Sequence, residues 1–202
     1  MANAWPPIQE SGSAGIEREL TLEEWLVLDE DEAGEFVDGR LVEEEVPDFA
    51  HELTISWLIG VIRAWLGGQG FVVGPELNVV TAANRGRKPD LVVILPGSKP
   101  PRRSGPLREP PDILVEVVTA TPRDERRDRV EKMAEYARFG VSYYWLVDPA
   151  LVSFEIFERT PSGHFQQLVG VTEGRIDPVP GCTGLVIDVD ALWTELSRLE
   201  AD

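Results

Sequence analysis

The apolar positions of the chain change period several times, and each change predicts an element. Thr21 with Glu24 three residues later has the form of a capping box opening a short helix to about Leu28. Glu35-Phe36-Val37 and Arg40-Leu41-Val42-Glu43 are short alternating runs flanking Asp38-Gly39, a two-residue hairpin signal. Pro47-Asp48 starts a helix to about Leu66, with Leu58, Val61, Ile62 and Trp65 on one stripe and Gly67-Gly68 ending it. Two apolar strands are predicted at Phe71–Val80 and Leu91–Leu95. The stretch from Pro96 to Pro111, crowded with Pro, Gly and Arg, reads as a loop. Asp112–Thr119 reads as a buried central strand, because it is almost continuously apolar. A helix over Arg123–Phe139, stopped by Gly140, leads to a strand at Val141–Val147 and an Asp148-Pro149 turn. Antiparallel strands at Ser153–Glu158 and His164–Val171 and a last helix from Asp188 to Leu199 complete the pattern. Strand–helix–strand followed by hairpins indicates an α/β or α+β fold with a mixed sheet flanked by helices.

Composition bounds the reading. The 202 residues suit one domain, taken as 17–202 after a loose Pro/Gly/Ser-rich tail at 1–16. The N-terminus lacks the basic start and apolar block of a secretory signal, and no apolar run approaches the ~18 residues of a membrane span. The single cysteine, Cys182, excludes an internal disulfide and any cysteine cluster for a metal, so a reducing cytoplasm is the expected compartment. A formal charge of −17 argues against nonspecific coating of nucleic acid. The charge is uneven, however. Glu17 to Glu52 holds fifteen acids against Arg18 and Arg40, a net of −13. Arg85 to Arg108 holds seven bases against Asp90, a net of +6. These segments read as a solvated acidic face with a basic loop, or as a local basic rim able to contact phosphate through Arg102 and Arg103.

Two carboxylates stand where strands are predicted. Asp90 opens Leu91-Val92-Val93-Ile94, and Glu116 interrupts Ile113-Leu114-Val115-Val117-Val118. A buried carboxylate without a partner costs several kcal/mol. A salt bridge to a nearby arginine would satisfy Glu116. Two carboxylates on neighbouring strands would equally suit a hard cation such as Mg²⁺, which takes one or two carboxylates and keeps several waters. Asp128, Lys132 and Tyr136 fall at i, i+4 and i+8, on one helix face. That face is an ordinary solvated ion pair, or a cation turned toward the carboxylates. His51, in the first turn of its helix, is a half-exposed terminal residue or a polar group aimed into a cleft. His164 reads as surface.

Lys88-Pro89-Asp90-Leu91 and Leu114-Val115-Glu116-Val117-Val118 resemble the PD…(D/E)-x-K core of restriction-endonuclease-like nucleases. With the Glu35 hairpin, His51, Asp128, Lys132, Tyr136 and Gly140-Val141 through Tyr144-Trp145-Leu146-Val147-Asp148-Pro149, the chain resembles the Uma-type "putative restriction endonuclease" family of bacteria over about residues 20–195. It departs from the superfamily pattern at Val118, where the core lysine usually stands; Lys132 on the following helix is the matching residue. The resemblance implies a restriction-endonuclease-like core and Mg²⁺- or Mn²⁺-dependent hydrolysis of DNA phosphodiester bonds. It implies Asp90, Glu116 and the Val117 carbonyl at the metal, and Lys132 at the scissile phosphate or the water. Asp128 would hold Lys132 or join the cation site, with His51 and Glu35 accessory. It implies DNA as partner through weak, local contacts, and a homodimer is the expected assembly. Two other classes stay open: a nuclease fold that binds or assembles on nucleic acid without cutting, and a metal-assisted hydrolase of a small phosphate ester.

Overall fold

The computed structural model describes residues 19–28, 34–42, 46–119 and 127–200; the predicted tail and the first residues of the helix expected from Arg123 lie outside them. Helix α1, Leu22–Trp25, begins with the predicted capping box: Thr21 Oγ1 accepts from the Glu24 amide at 3.2 Å, and Glu24 Oε2 from the Thr21 amide at 2.7 Å. Strands β1, Glu35–Val37, and β2, Arg40–Val42, form the predicted hairpin. Asp38 and Gly39 have φ of 51° and 82°, the left-handed pair that a tight two-residue turn requires. Helix α2, Phe49–Leu66, is capped by Asp48, which accepts from the His51 amide at 2.8 Å, and is ended by Gly67 in the left-handed conformation. Its buried stripe is Ile55, Leu58, Ile62 and Leu66; Val61 and Trp65 form its half-buried shoulder.

The predicted strand Phe71–Val80 is two strands in two sheets. β3, Phe71–Val73, pairs with β6, Leu91–Ile94, whereas β4, Val79–Ala82, pairs with β5, Arg85–Arg87. Gly74-Pro75 breaks the run: proline gives no ladder donor, and a Cβ on Gly74 would lie 1.9 Å from the Asp90 carbonyl oxygen. The hydrophobic pattern does not reveal β5, because Arg85-Gly86-Arg87 has no apolar alternation.

β7, Ile113–Val117, is followed after the undescribed residues 120–126 by a π-helical turn, Arg127–Lys132, that runs into α3, Met133–Phe139. Then come β8, Tyr143–Asp148, β9, Ser153–Arg159, and β10, Phe165–Val171. The six-stranded sheet has the order β10-β9-β8-β7-β6-β3, and only β7 and β8 run parallel. An antiparallel four-stranded sheet has the order β2-β1-β5-β4. A short ribbon of β11, Arg175–Ile176, and β12, Ile187–Asp188, leads into α4, Val189–Leu196. No helix among the described residues is long and apolar enough to cross a membrane.

Strand parity divides the core. Ile113, Val115 and Val117 of β7 join Leu91, Val93, Trp145 and the stripe of α2. Leu114 and Val118 join Val92, Tyr136, Tyr144 and Leu146 on the opposite face, toward α3. Successive strand side chains alternate, so Glu116 belongs to the α3 face. A third, smaller cluster of Leu20, Leu22, Trp25, Phe36 and Val80 covers the four-stranded sheet. The Trp25 ring lies directly on the backbone of Gly86, where a Cβ would approach it to 2.3 Å.

A buried ionic network joins that sheet to α3. The fully buried guanidinium of Arg87 donates to Glu35 Oε2 at 2.7 Å, and to Glu135 Oε2 through Nε at 3.0 Å and Nη2 at 2.7 Å. Arg85 donates to the same Glu135 oxygen at 2.8 Å, and the Thr81 hydroxyl to the other. Burial alone would raise the Glu135 pKa, but the bonds and charge of Arg87, with Thr81 and Arg85, hold it below the ordinary value. Replacing Glu135 by Gln leaves Arg87 buried opposite a neutral amide, which should cost about 3–5 kcal/mol at neutral pH. Because the native pKa is depressed, the contribution of Glu135 is present above its unfolded value of 4.5 and is lost as pH falls through the native value. Urea unfolding followed by circular dichroism should therefore show a wild-type advantage over Glu135→Gln that shrinks on acidification below 4.5. An equal difference at neutral and acid pH would contradict this account.

Candidate active site

The site forms where β6 begins and β7 ends. Register places Leu91 opposite Val115, so Asp90 lies beside the last residues of β7. Its Oδ2 accepts from the Val117 amide at 2.6 Å, which fixes the carboxylate at the strand end. The Nε2 of His51, from the first turn of α2, is 3.4 Å from the same oxygen. Burial works to lower the His51 pKa, but the hydrogen bond and charge of Asp90 outweigh it and raise the pKa. The other oxygen of Asp90, Oδ1, has no partner among the described residues.

Glu116 enters from the α3 side. Its Oε1 accepts from the Tyr136 hydroxyl at 2.7 Å and its Oε2 from the Lys132 ammonium at 3.0 Å. The same ammonium is 3.3 Å from Asp128 Oδ1 and 3.5 Å from Glu35 Oε1. Burial raises the Glu116 pKa well above the ordinary range; Lys132 counteracts this, while Asp90, Asp128 and Glu35 add to the rise. Glu116 and Lys132 are only 2% and 3% exposed, so the pair is held in a medium where each charge needs the other. Asp128, Lys132 and Tyr136 share the face their spacing gives, and that face is buried on Glu116.

Of the residues singled out from the sequence, His51, Asp90, Glu116, Val117, Asp128, Lys132 and Glu35 lie in one cluster. Arg102 and Arg103 do not join it. They are exposed on the loop that leaves β6 and enters β7 at the strand ends away from Asp90. That loop is pinned at two places: Asp112 accepts from the Leu95 amide at 2.7 Å and from Ser98 Oγ at 2.9 Å, and Leu107 exchanges backbone bonds with Asn78 and Val80. Arg102 also borders a cavity of about 410 Å³ walled by Val73, Leu77, Pro106 and Leu107. The basic segment is less free than its sum of charges implies. Arg85, Arg87, Lys88 and Lys99 are held by acids, leaving Arg102, Arg103 and Arg108 without a carboxylate partner among the described residues. The sequence reading missed Arg87 and Glu135. They lie 48 residues apart, and no local spacing joins them.

The donor chemistry fits a hard divalent cation. Asp90 Oδ1, Glu116 and the Val117 carbonyl are all oxygen donors, the class Mg²⁺ prefers. Among the described residues, Glu35, Glu116, Asp128 and Glu135 are faced by Arg85, Arg87 and Lys132, and Asp90 by His51. Among the described residues no three His, Cys, Asp or Glu groups form a ready-made metal cage. Mg²⁺ does not require one, since it is commonly held by one or two carboxylates with waters completing its shell.

No curated protein matches the chain. A solved structure described as a putative nuclease belonging to DUF820, from Anabaena variabilis, superposes with a TM-score of 0.70 at 19% identity, covering 88% of this chain and 99% of that one. The type IIG restriction endonuclease BpuSI matches more loosely, with a TM-score of 0.36 at 18% identity over 78% of this chain and 17% of that one. The first likeness shows a shared fold. The family model described as "Putative restriction endonuclease" matches residues 20–190, which span both sheets, α2, α3 and every residue of the cluster. The chain belongs to this family, Uma2, described as "Putative restriction endonuclease", and its mixed sheet flanked by helices is of the restriction-endonuclease-like kind.

Proposed function

We propose that this chain is a divalent-cation-dependent endonuclease that hydrolyses phosphodiester bonds in DNA. The observation that carries the reading is the Lys132 ammonium 3.0 Å from Glu116, beside an Asp90 carboxylate tied to the Val117 amide. Asp90 and Glu116, with the Val117 carbonyl, would hold Mg²⁺ or Mn²⁺. The bound ion would polarise a phosphoryl oxygen and lower the pKa of a coordinated water. The chain's own groups do the rest. The Val117 amide and His51 fix the Asp90 carboxylate from one side, leaving Oδ1 directed elsewhere. Tyr136 fixes Glu116 from the α3 side. Lys132 is a compact cation suited to meet the charge that grows on the phosphate or to orient the attacking water. Asp128 holds Lys132 from the preceding turn. Arg102 and Arg103 supply local phosphate contact in a chain whose bulk charge repels DNA.

One observation favours a second reading, a nuclease fold that binds nucleic acid without cutting it. Both Glu116 oxygens already have donors within the protein, Lys132 and Tyr136, so the network is satisfied without a metal.

Plasmid nicking in Mg²⁺ or Mn²⁺ separates the two. In the enzyme reading, Asp90→Asn, Glu116→Gln and Lys132→Met each lower the rate on the order of 10²-fold or more. Calorimetric Mn²⁺ binding is lost in the two carboxylate variants and kept in Lys132→Met. Wild-type cutting that survives Asp90→Asn or Glu116→Gln would refute the metal assignment. Mn²⁺ and DNA binding without any cutting would establish the second reading. The loop is tested apart from catalysis: the double change Arg102→Gln and Arg103→Gln should reduce the salt slope of DNA binding by about 2, roughly 0.9 for each phosphate no longer neutralised. An unchanged slope would make the loop solvated surface.

A further inference from the structure

Lys132 is the end of a chain of contacts that begins in the other sheet. Glu35 is fully buried on β1, and its two oxygens have different duties. Oε2 accepts from Arg87 at 2.7 Å; Oε1 accepts from the Lys88 amide at 3.2 Å and faces the Lys132 ammonium at 3.5 Å. Arg87 is fixed in turn by its two bonds to Glu135 on α3, one turn beyond Lys132 on the same helical segment. Both ends of Arg87's contacts therefore return to the segment that carries Lys132. A rigid, planar guanidinium with donors on several edges can hold two carboxylates in fixed relation, which an ammonium cannot do.

We propose that Arg87 is a positioning residue for Lys132: clamped by Glu135, it sets the Glu35 carboxylate that holds the Lys132 ammonium toward Glu116. The four-stranded N-terminal sheet is then a wall of the active site as well as a cover for the core. The consequence for catalysis rests on the nuclease reading above; the positioning itself does not. A lysine stem has four rotatable bonds, and Glu116 and Asp128 hold the ammonium from the β7 side and from its own helical segment. Glu35 comes from a third element and restrains the ammonium from another direction.

The test uses a favourable feature of the sequence, which has only three lysines: Lys88, Lys99 and Lys132. Lysine side-chain ¹⁵N NMR of the full chain should show one ammonium exchanging slowly with water, identified by its disappearance in Lys132→Met. In Arg87→Met and in Glu35→Gln that signal should shift and exchange at least about tenfold faster, while those of Lys88 and Lys99 in their other ion pairs stay in place. Arg87→Lys, which restores charge without the fork, should recover it only in part. If Arg87→Met does not fold, Glu35→Gln alone decides. A Lys132 signal with unchanged position and exchange in Glu35→Gln overturns the proposal. Where wild type cleaves DNA, Glu35→Gln should lower kcat tenfold or more with little change in KM for DNA, and a loss confined to KM would also overturn it. Where wild type does not cleave, the nuclease reading fails, and the NMR result still decides the positioning role.

Discussion

A carboxylate at Glu116, in a strand buried on both faces, is the constraint from which the rest of the molecule can be read. Ionised and alone at that depth it would cost several kcal/mol. Three features answer this. Strand parity turns it away from the apolar stripe of α2 and toward α3. A π-helical turn before α3 brings Asp128 and Lys132 together with Tyr136 on the facing side. Such turns widen a helix locally and recur at functional sites. The strand order then places Asp90, the first residue before β6, beside the same spot. None of these would be needed if β7 carried another valine at that position.

The two sheets are usefully regarded as one electrostatic object. From the surface inward, Asp38 meets Arg85, Arg85 meets Glu135, Glu135 meets Arg87, Arg87 meets Glu35, Glu35 meets Lys132 and Lys132 meets Glu116. Every neighbour has the opposite sign. In a medium of low effective dielectric such alternation lets buried charges stabilise one another, and removing one member leaves two others exposed to the full desolvation penalty. The hairpin of β1 and β2 would otherwise be a small antiparallel appendage with its own minor core around Trp25 and Phe36. Through Glu35 it becomes part of the interior of the larger sheet's site.

What the sequence discloses follows from the range of the interactions. Local signals are legible: the Thr21–Glu24 cap, the Asp38-Gly39 turn, the Asp48 cap of α2 and the Asp128–Lys132–Tyr136 face each depend on residues within a few positions of one another. The strand carrying Glu116 is legible because an acid in an apolar run is conspicuous. The division of Phe71–Val80 is not, since Val72 and Val79 look alike in pattern and differ only in which sheet receives them. β5 is hidden for a related reason. Its arginines read as a basic surface run, whereas Arg87 is fully buried and matched to acids from β1 and α3. The regional charge sums misled in the same way: Glu35 of the N-terminal stretch and Arg87 of the middle segment are fully buried against each other and Glu135, and Asp38 of the same stretch pairs with Arg85 at the surface.

The alternating chain of charges changes character at its inner end. It starts at a solvated acid, Asp38, and each inward step changes sign until Glu116. There the pattern stops, because the next group, Asp90, is again an acid, and its charge adds to the rise of the Glu116 pKa. Among the described residues His51 stands against Asp90 with the opposite sign, and it carries that sign when protonated. Asp90 and Glu116 are neighbouring carboxylates, the first held against His51 and the second sharing Lys132 with Asp128 and Glu35. On the reading proposed above, a hard cation held by Asp90 and Glu116 would continue the alternation at this end of the sheet, which is the place a metal-assisted nuclease would use it.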